Sequence, residues 1–239
     1  MSAELGFKKE DISCALFSGR KSAVITKNAE AGMYNLMGCF NETCSRNRNS
    51  FYEIGSFVLG SSSGSCMIAS QYVLPRKIEV FSEEEMKENL DLLAKDDYAL
   101  GDIDIICAES SVALTGGFYE RAERTAEKKG LSIIGWDHIH PDNDLRPSLQ
   151  DILTLSSDSD GRDMLLMIHS ENSKDDYSGY LMDSRVLGDL NKSKRGSSGC
   201  AGSKNFSIDK IAAPAGRSHD ARIIDSLISR EQFYRNAFW

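Results

Sequence analysis

Residues 131–151 read LSIIGWDHIHPDNDLRPSLQD, an apolar run followed by two histidines and, further on, by Ser-x-x-Asp. The run from Leu131 to Trp136 is typical of a buried strand. Pro141 ends this strand, because proline has no backbone N–H to donate. An apolar periodicity that begins after Ser148 predicts a helix. The stretch therefore predicts a strand, a loop and a helix, which we place in a mixed α/β domain.

The two histidines of this stretch are predicted to supply two of the ligands of a metal site. His138 and His140 are separated by one residue, so on a strand both side chains project from the same face. Asp151 is expected in the first turn of the following helix, where the helix dipole favours an anion. Three protein ligands leave the fourth position of a zinc ion open for water, as catalytic sites require. His138, His140 and Asp151 are therefore the predicted ligands, and Zn²⁺ is the predicted cofactor.

The same residues also have a structural interpretation. Ser148 and Asp151 have the spacing of a helix N-cap and its N3 acid, and a capping serine can still present its hydroxyl to a substrate. A pair of histidines at a strand end can be only a polar terminus, but the downstream Ser-x-x-Asp favours a metal. His169, at the end of a later predicted strand, is expected to be structural rather than a further ligand.

The stretch resembles the signature of the JAMM (MPN-plus) zinc metallopeptidases. That signature is an upstream glutamate, then His-x-His, seven residues and Ser-x-x-Asp, as in this chain. The segment EIGSFVLG, which begins at Glu53, is similar to the glutamate-bearing strand of the family. The resemblance covers roughly residues 50–185. It implies a central mixed sheet flanked by helices, in a deaminase-like three-layer arrangement.

The resemblance also implies a role for each residue. The zinc ion would lower the pKa of its bound water, which becomes the nucleophile, and would polarise the substrate carbonyl. Glu53 would act as general base and then as general acid toward the leaving amine. Ser148 would donate a hydrogen bond to the oxyanion. The implied substrate is a peptide or isopeptide bond at the C-terminus of a ubiquitin-like protein or one of its conjugates.

Two departures from the family pattern bear on the substrate. Ile139 stands between the histidines, where eukaryotic members usually have serine or threonine, and on a strand it points away from the metal. The segment between Glu53 and His138 is longer than in compact members, which predicts an inserted helix.

Alternatives to a ubiquitin-like isopeptidase stay open. One is a non-catalytic MPN-type scaffold subunit, although scaffold members typically lack a ligand and this chain retains all of them. Another is a zinc hydrolase of a different amide, such as a sulfur-carrier precursor. Other acids before the histidines are alternative general bases, namely Glu42, Glu79 and Glu109.

The composition of the chain limits the kinds of partner and cellular environment that we expect for the protein. The 239 residues are 41% hydrophobic, enough for a globular core, and the net charge of −8 argues against nucleic-acid binding. No apolar run is long enough to cross a membrane, and the first residues lack a signal-peptide pattern, so we expect a cytoplasmic protein. The irregular spacing of the six cysteines favours free thiols. A partner subunit or a homodimer stays open.

Four segments are predicted along the chain. They are an N-terminal extension of uncertain structure (1–50), a JAMM-type metallopeptidase core (51–190), a flexible Gly/Ser/Lys loop (191–207) and a C-terminal helical segment (208–239). Within the extension, a strand at Ser22–Thr26 and a polar loop at Asn41–Ser50 are expected. The expected core elements are a hairpin of Glu53–Gly60 and Cys66–Leu74, a capping-box helix from Ser82, a strand Asp102–Ala108, a helix Phe118–Lys129, and strands Met164–His169 and Tyr177–Met182.

Overall fold

The structure is a computed structural model, and it describes residues 11–19, 21–47, 52–63, 66–93, 102–141, 144–159, 161–171, 173, 175–189, 214–220 and 222. Four helices of eight residues or more lie in these ranges: α1 (Lys27–Arg46), α2 (Glu83–Leu93), α3 (Gly116–Lys128) and α4 (Leu149–Asp158). The strands are β1 (Ile12–Ser18), β2 (Lys21–Thr26), β3 (Ile54–Ser63), β4 (Cys66–Val73), β5 (Ile78–Val80), β6 (Ile105–Ala108), β7 (Ser111–Leu114), β8 (Ser132–His140), β9 (Met164–Ser170), β10 (Tyr177–Met182) and β11 (Gly216–Ser218).

The main sheet is mixed and has eight strands in the order β10-β9-β8-β3-β4-β2-β1-β11. The pairs β8–β9 and β2–β4 are parallel, and the other neighbours are antiparallel. A smaller sheet, β5-β6-β7, lies between β4 and α3 in the chain. The fold is therefore mixed α/β, a curled sheet flanked by helices.

Helix α1 covers one face of the main sheet. The side chain of Thr26 caps it by accepting a hydrogen bond from the Ala29 backbone N–H at 3.1 Å. The residues of its buried face recur at helical spacing: Ala29, Gly32, Met33, Leu36, Met37, Phe40, Thr43 and Cys44. Because this face continues past Phe40, the predicted loop at Asn41–Ser50 is wrong as far as Arg46. Strands β1 and β2 with α1 bring most of the predicted N-terminal extension into the main sheet and its helical cover.

Helices α3 and α4 cover the other face. Phe118 of α3 packs edge-to-face on Phe57 with ring centroids 4.9 Å apart. Phe57 pairs with Trp136 across β3 and β8, so both side chains lie on the same face of the sheet. Trp136 in turn belongs to the same core cluster as Ile152 of α4. The face that carries Trp136 therefore also carries His138 and His140, which follow at a spacing of two.

Most core predictions are confirmed. Strands β3 and β4 form the predicted hairpin, and β9 and β10 lie where expected. The capping box at Ser82 is present, since Glu85 accepts from the Ser82 backbone N–H at 2.9 Å and donates its own to the Ser82 hydroxyl at 3.2 Å. The strand expected at Asp102–Ala108 begins only at Ile105. The inserted segment contains α2 and α3.

The C-terminal predictions are tested only in part. The predicted loop at 191–207 lies outside the described residues, and of the segment predicted as helical (208–239) the structure describes only 214–220 and 222. Within the segment predicted as helical, Gly216–Ser218 form a strand instead, because they pair with β1 at the edge of the sheet. None of the helices in the described ranges is both long enough and apolar enough to span a membrane.

Candidate metal centre

The end of β8 presents two imidazoles to one point. His138 is fully buried and His140 is 7% exposed, and their Nε2 atoms lie 2.8 Å apart. Ile139 points to the opposite face, where it joins the apolar cluster that contains Leu36 and Ile54. Strand alternation therefore produces the predicted pair of histidines and keeps Ile139 away from it.

The N-terminus of α4 supplies the carboxylate. Ser148 is the N-cap, and its hydroxyl accepts a hydrogen bond from the Asp151 backbone N–H at 3.1 Å. The Ser148 backbone N–H donates in return to Asp151 Oδ2 at 2.6 Å. This reciprocal cap holds the carboxylate with Oδ1 3.4 Å from His138 Nε2 and Oδ2 3.7 Å from His140 Nε2. The capping and metal interpretations of Ser148 and Asp151 are therefore compatible.

The geometry of the three side chains fits a metal ion. Their ligand atoms all lie within 4.8 Å of one another. In a tetrahedral site with zinc–nitrogen bonds near 2 Å, neighbouring ligand atoms are about 3.3 Å apart. The two Nε2 atoms lie 2.8 Å apart, and each has a different oxygen of Asp151 nearby, Oδ1 at 3.4 Å from His138 and Oδ2 at 3.7 Å from His140, so these distances lie on either side of that value. Two neutral imidazoles and one carboxylate are also a donor set that zinc accepts.

A backbone carbonyl sets the tautomer of His140. Its Nδ1 lies 2.5 Å from the carbonyl oxygen of Asp144, and because a carbonyl only accepts, Nδ1 is the donor. In the neutral ring, Nε2 then carries the lone pair that faces Asp151. The neighbouring carbonyl of Leu145 accepts from the Tyr180 hydroxyl at 2.5 Å, which anchors the loop. Metal-binding histidines commonly have such an outer partner.

His138 is supported differently. Its ring stacks on the Trp136 indole with centroids 4.8 Å apart and planes inclined at 22°. Its Nδ1 is buried and has no hydrogen-bond partner within the part of the chain that the structure describes. Trp136 was not predicted from the sequence to be part of the site. Its position two residues before His138 on a strand was a usable signal, because it places both rings on the same face.

The electrostatics favour an ionised carboxylate. Burial alone raises the pKa of Asp151, but the neighbouring His138 and the hydrogen bonding of His138, His140 and Ser148 outweigh it, so the pKa lies well below its usual range. Burial lowers the pKa of His140. Its hydrogen bonds to Asp151 and Asp144, with the charge of Glu53, outweigh that effect, and the pKa is raised.

A groove of about 1200 Å³ opens over the site. Four of the five predicted residues line it, namely Glu53, His140, Ser148 and Asp151, while His138 is buried beneath it. Glu53 precedes β3, and its backbone N–H donates to the Ala108 carbonyl at 3.3 Å. The far wall was not predicted from the sequence, and its residues come from β7 and α3, among them Ser111, Val112, Leu114 and Tyr119.

Of the three other acids considered as general base, one lines the groove and two lie elsewhere. Glu109 also lines the groove. Glu42 instead pairs with Arg46 on α1, and Glu79 lies on β5, 3.9 Å from Lys77 Nζ. Of the four candidate bases, Glu53 is the one that both lines the groove and contributes a charge that raises the pKa of His140. Glu53 is therefore the acid with the best support.

Residues outside the site match two further expectations. His169 Nε2 lies 2.9 Å from Asp137 Oδ2, and His169 is not part of the three-residue metal group. The five cysteines that the structure describes are free thiols: Cys14, Cys39, Cys44, Cys66 and Cys107.

Comparison with known proteins leaves the function open. No family model and no curated protein matches the sequence. Among solved structures, the chain is similar to the solution structure of protein DSY2949 from Desulfitobacterium hafniense, with 14% sequence identity and a TM-score of 0.36. That similarity covers 66% of this chain and 83% of the other.

Proposed function

We propose that the chain is a zinc-dependent hydrolase of the JAMM type, which cleaves a peptide or isopeptide bond at the C-terminus of a ubiquitin-like protein or its conjugates. The observation that carries the proposal is the convergence of His138, His140 and Asp151 at the base of a groove that Glu53 and Ser148 also line. The proposal extends to the fold, as a deaminase-like layered arrangement around β8.

Each residue has a task in this proposal. A bound zinc ion supplies Lewis acidity for the substrate carbonyl and lowers the pKa of water. Glu53 takes the proton from the attacking water and returns it to the leaving amine. The Ser148 hydroxyl accepts a hydrogen bond from the Asp151 backbone N–H, and in the reaction it donates its own proton to the oxyanion.

The lining of the groove supports a peptide substrate. Its residues come from α4, β7 and α3 as well as from the candidate metal centre. Its walls include apolar side chains such as Val112, Leu114 and Tyr119. An extended tail can lie in an open groove of this kind with its scissile bond above the histidines. The sequence resemblance supplies the further step to a ubiquitin-like tail.

Zinc content is the first test. We expect about one equivalent of zinc in the parent protein by elemental mass spectrometry, and little in Asp151→Ala, because that variant loses one of the three ligands. A parent that binds no zinc after supplementation would remove the hydrolase proposal and leave the non-catalytic scaffold as the better explanation.

The general base is tested with a matched pair of groove variants. Glu53→Gln is expected to keep zinc and to lower hydrolysis of a fluorogenic ubiquitin-like C-terminal amide by at least about 100-fold. Glu109→Gln, in the same groove, is expected to change the rate by less than about threefold. An active Glu53→Gln would refute the assignment. A zinc-loaded parent that cleaves only another amide, such as a sulfur-carrier precursor, would correct the substrate.

A further inference from the structure

The back of the metal-binding strand carries a second buried pair that the proposed mechanism does not use. Asp137 immediately precedes His138, so its side chain points to the opposite face of the sheet. Asp137 is fully buried and His169 is 2% exposed, and Oδ2 of the first lies 2.9 Å from Nε2 of the second. A buried pair of ionisable groups carries a large desolvation penalty, so its presence calls for an explanation.

We propose that Asp137 and His169 are positioning residues for the metal centre. Their hydrogen bond fixes the end of β8 against β9, so that the Nε2 atoms of His138 and His140 converge on Asp151. This inference rests on the proposed function, since it concerns the metal that His138 and His140 would hold.

The strand register explains why this end of β8 needs a support. The pairing of β3 with β8 that the structure describes ends at Ile54 and Ile139. The parallel pairing with β9 continues one residue further, to His140 and Ser170. The ligand-bearing end of β8 therefore depends on β9 for its direction.

The side-chain bond runs along the same pair of strands. Asp137 is in register with Met167, and Ile139 with His169, so the bond crosses diagonally over two residues toward the strand ends. The bond therefore links Asp137, which precedes His138 on β8, to His169, which is in register with Ile139. A sideways or twisting movement of the two ligands would stretch this bond.

The surroundings of the pair prevent water from replacing it. Tyr72 lies beside Asp137, and burial, followed by the Asp137 charge, raises the pKa of this tyrosine well above its usual range. Helix α1 lies directly on Tyr72, since a Cβ added to Gly32 would come within 2.6 Å of Tyr72 Cβ. The Tyr177 ring packs against the His169 ring, with centroids 5.2 Å apart. A lost bond would leave a buried polar group unpaired.

The test compares disruptive and conservative variants of the pair. Asp137→Ala and His169→Leu are each expected to raise the dissociation constant for zinc by about 10–100-fold, measured by competition with a chromophoric chelator. The visible absorption spectrum of the Co²⁺-substituted protein is expected to change as well, because it reports ligand geometry. Asp137→Asn is expected to stay within about threefold of the parent, since an amide oxygen can accept the same bond from His169.

A control variant separates positioning from general stability. Asp163 pairs with Lys21 just before β9 begins, at the end of the strand opposite to His169. Asp163→Asn is expected to lower the unfolding temperature of the metal-free protein while the zinc dissociation constant stays within about twofold. The Co²⁺ spectrum of this control is expected to match that of the parent.

The possible outcomes distinguish this inference from the proposed function. If the parent binds zinc and Asp137→Ala and His169→Leu bind it equally well with an unchanged Co²⁺ spectrum, the inference is overturned and the proposed function stands. If Asp137→Ala does not fold, His169→Leu tests the same bond from its other end. A parent that binds no zinc overturns the proposed function, and the inference with it.

Discussion

Replacing Gly135 with alanine is expected to separate β8, which carries the candidate histidine ligands, from its neighbour β9. A Cβ at this position would lie 1.8 Å from the Leu165 carbonyl oxygen and 2.7 Å from the Leu165 carbonyl carbon. The first distance is 1.2 Å short of the 3.0 Å below which real Cβ contacts are essentially absent. The obstructing atoms are backbone, so no side-chain rotation can relieve the clash, and β8 and β9 must move apart.

The size of the effect follows from what this movement disrupts. Displacing β8 strains or breaks the ladder hydrogen bonds around Leu165, each worth about 1 kcal/mol, and loosens a close-packed core. We expect Gly135→Ala to lose about 3–5 kcal/mol of unfolding free energy. Because His138 lies three residues further along the strand, zinc affinity is expected to fall as well. Urea unfolding of the metal-free protein and chelator competition measure the two effects.

A second glycine gives the matched control. Gly38 lies on the exposed side of α1, and an added Cβ would meet nothing within 4 Å. Gly38→Ala is expected to stabilise the protein by about 0.5–1 kcal/mol, because alanine favours helix and restricts the unfolded chain. A Gly135→Ala protein within about 1 kcal/mol of the parent would refute the reasoning.

Three further predictions concern pH and helix capping. Because the pKa of His140 is raised and protons compete with metal for its ring, zinc affinity is expected to begin to weaken at a higher pH than it would with an ordinary histidine ligand. Below the pKa of His140 it is expected to fall by about tenfold per pH unit, and a chelator titration that is flat from about pH 8 to pH 5 would contradict this. Backbone and side-chain hydrogen bonds from Arg185, with Lys21, outweigh burial and lower the pKa of Asp183 to about 2, so its stabilisation is present above about pH 4 and is lost as the pH falls toward 2. Asp183→Asn should therefore lose about 1 kcal/mol less than the parent on acidification, with solvent screening taken into account, and equal losses in urea titrations would rule out this contribution. Thr115→Ala is expected to lose about 2 kcal/mol in thermal unfolding, since the Thr115 hydroxyl caps α3 and also donates to a buried carbonyl; a loss below about 0.5 kcal/mol would argue against that role.

The parts of the molecule that were predicted well from the sequence have local physical causes. Strand alternation places His138 and His140 on one face, and capping chemistry places Asp151 in the first turn of α4. The β3–β4 hairpin and the capping box of α2 likewise depend on neighbouring residues. Each of these signals is complete within about twenty residues of sequence.

The rest depends on which strands become neighbours, and this is decided in three dimensions. The parallel pairing of β2 with β4 brings residues 21–26 into the main sheet, and β11 reaches its edge from the other end of the chain. The groove wall from β7 and the bond between Asp137 and His169 arise in the same way, the latter across 32 positions of sequence. The sequence alone therefore predicted the candidate metal ligands and most of the elements that carry them. The tertiary structure decided how those elements meet, because burial and strand pairing join residues that no local pattern connects.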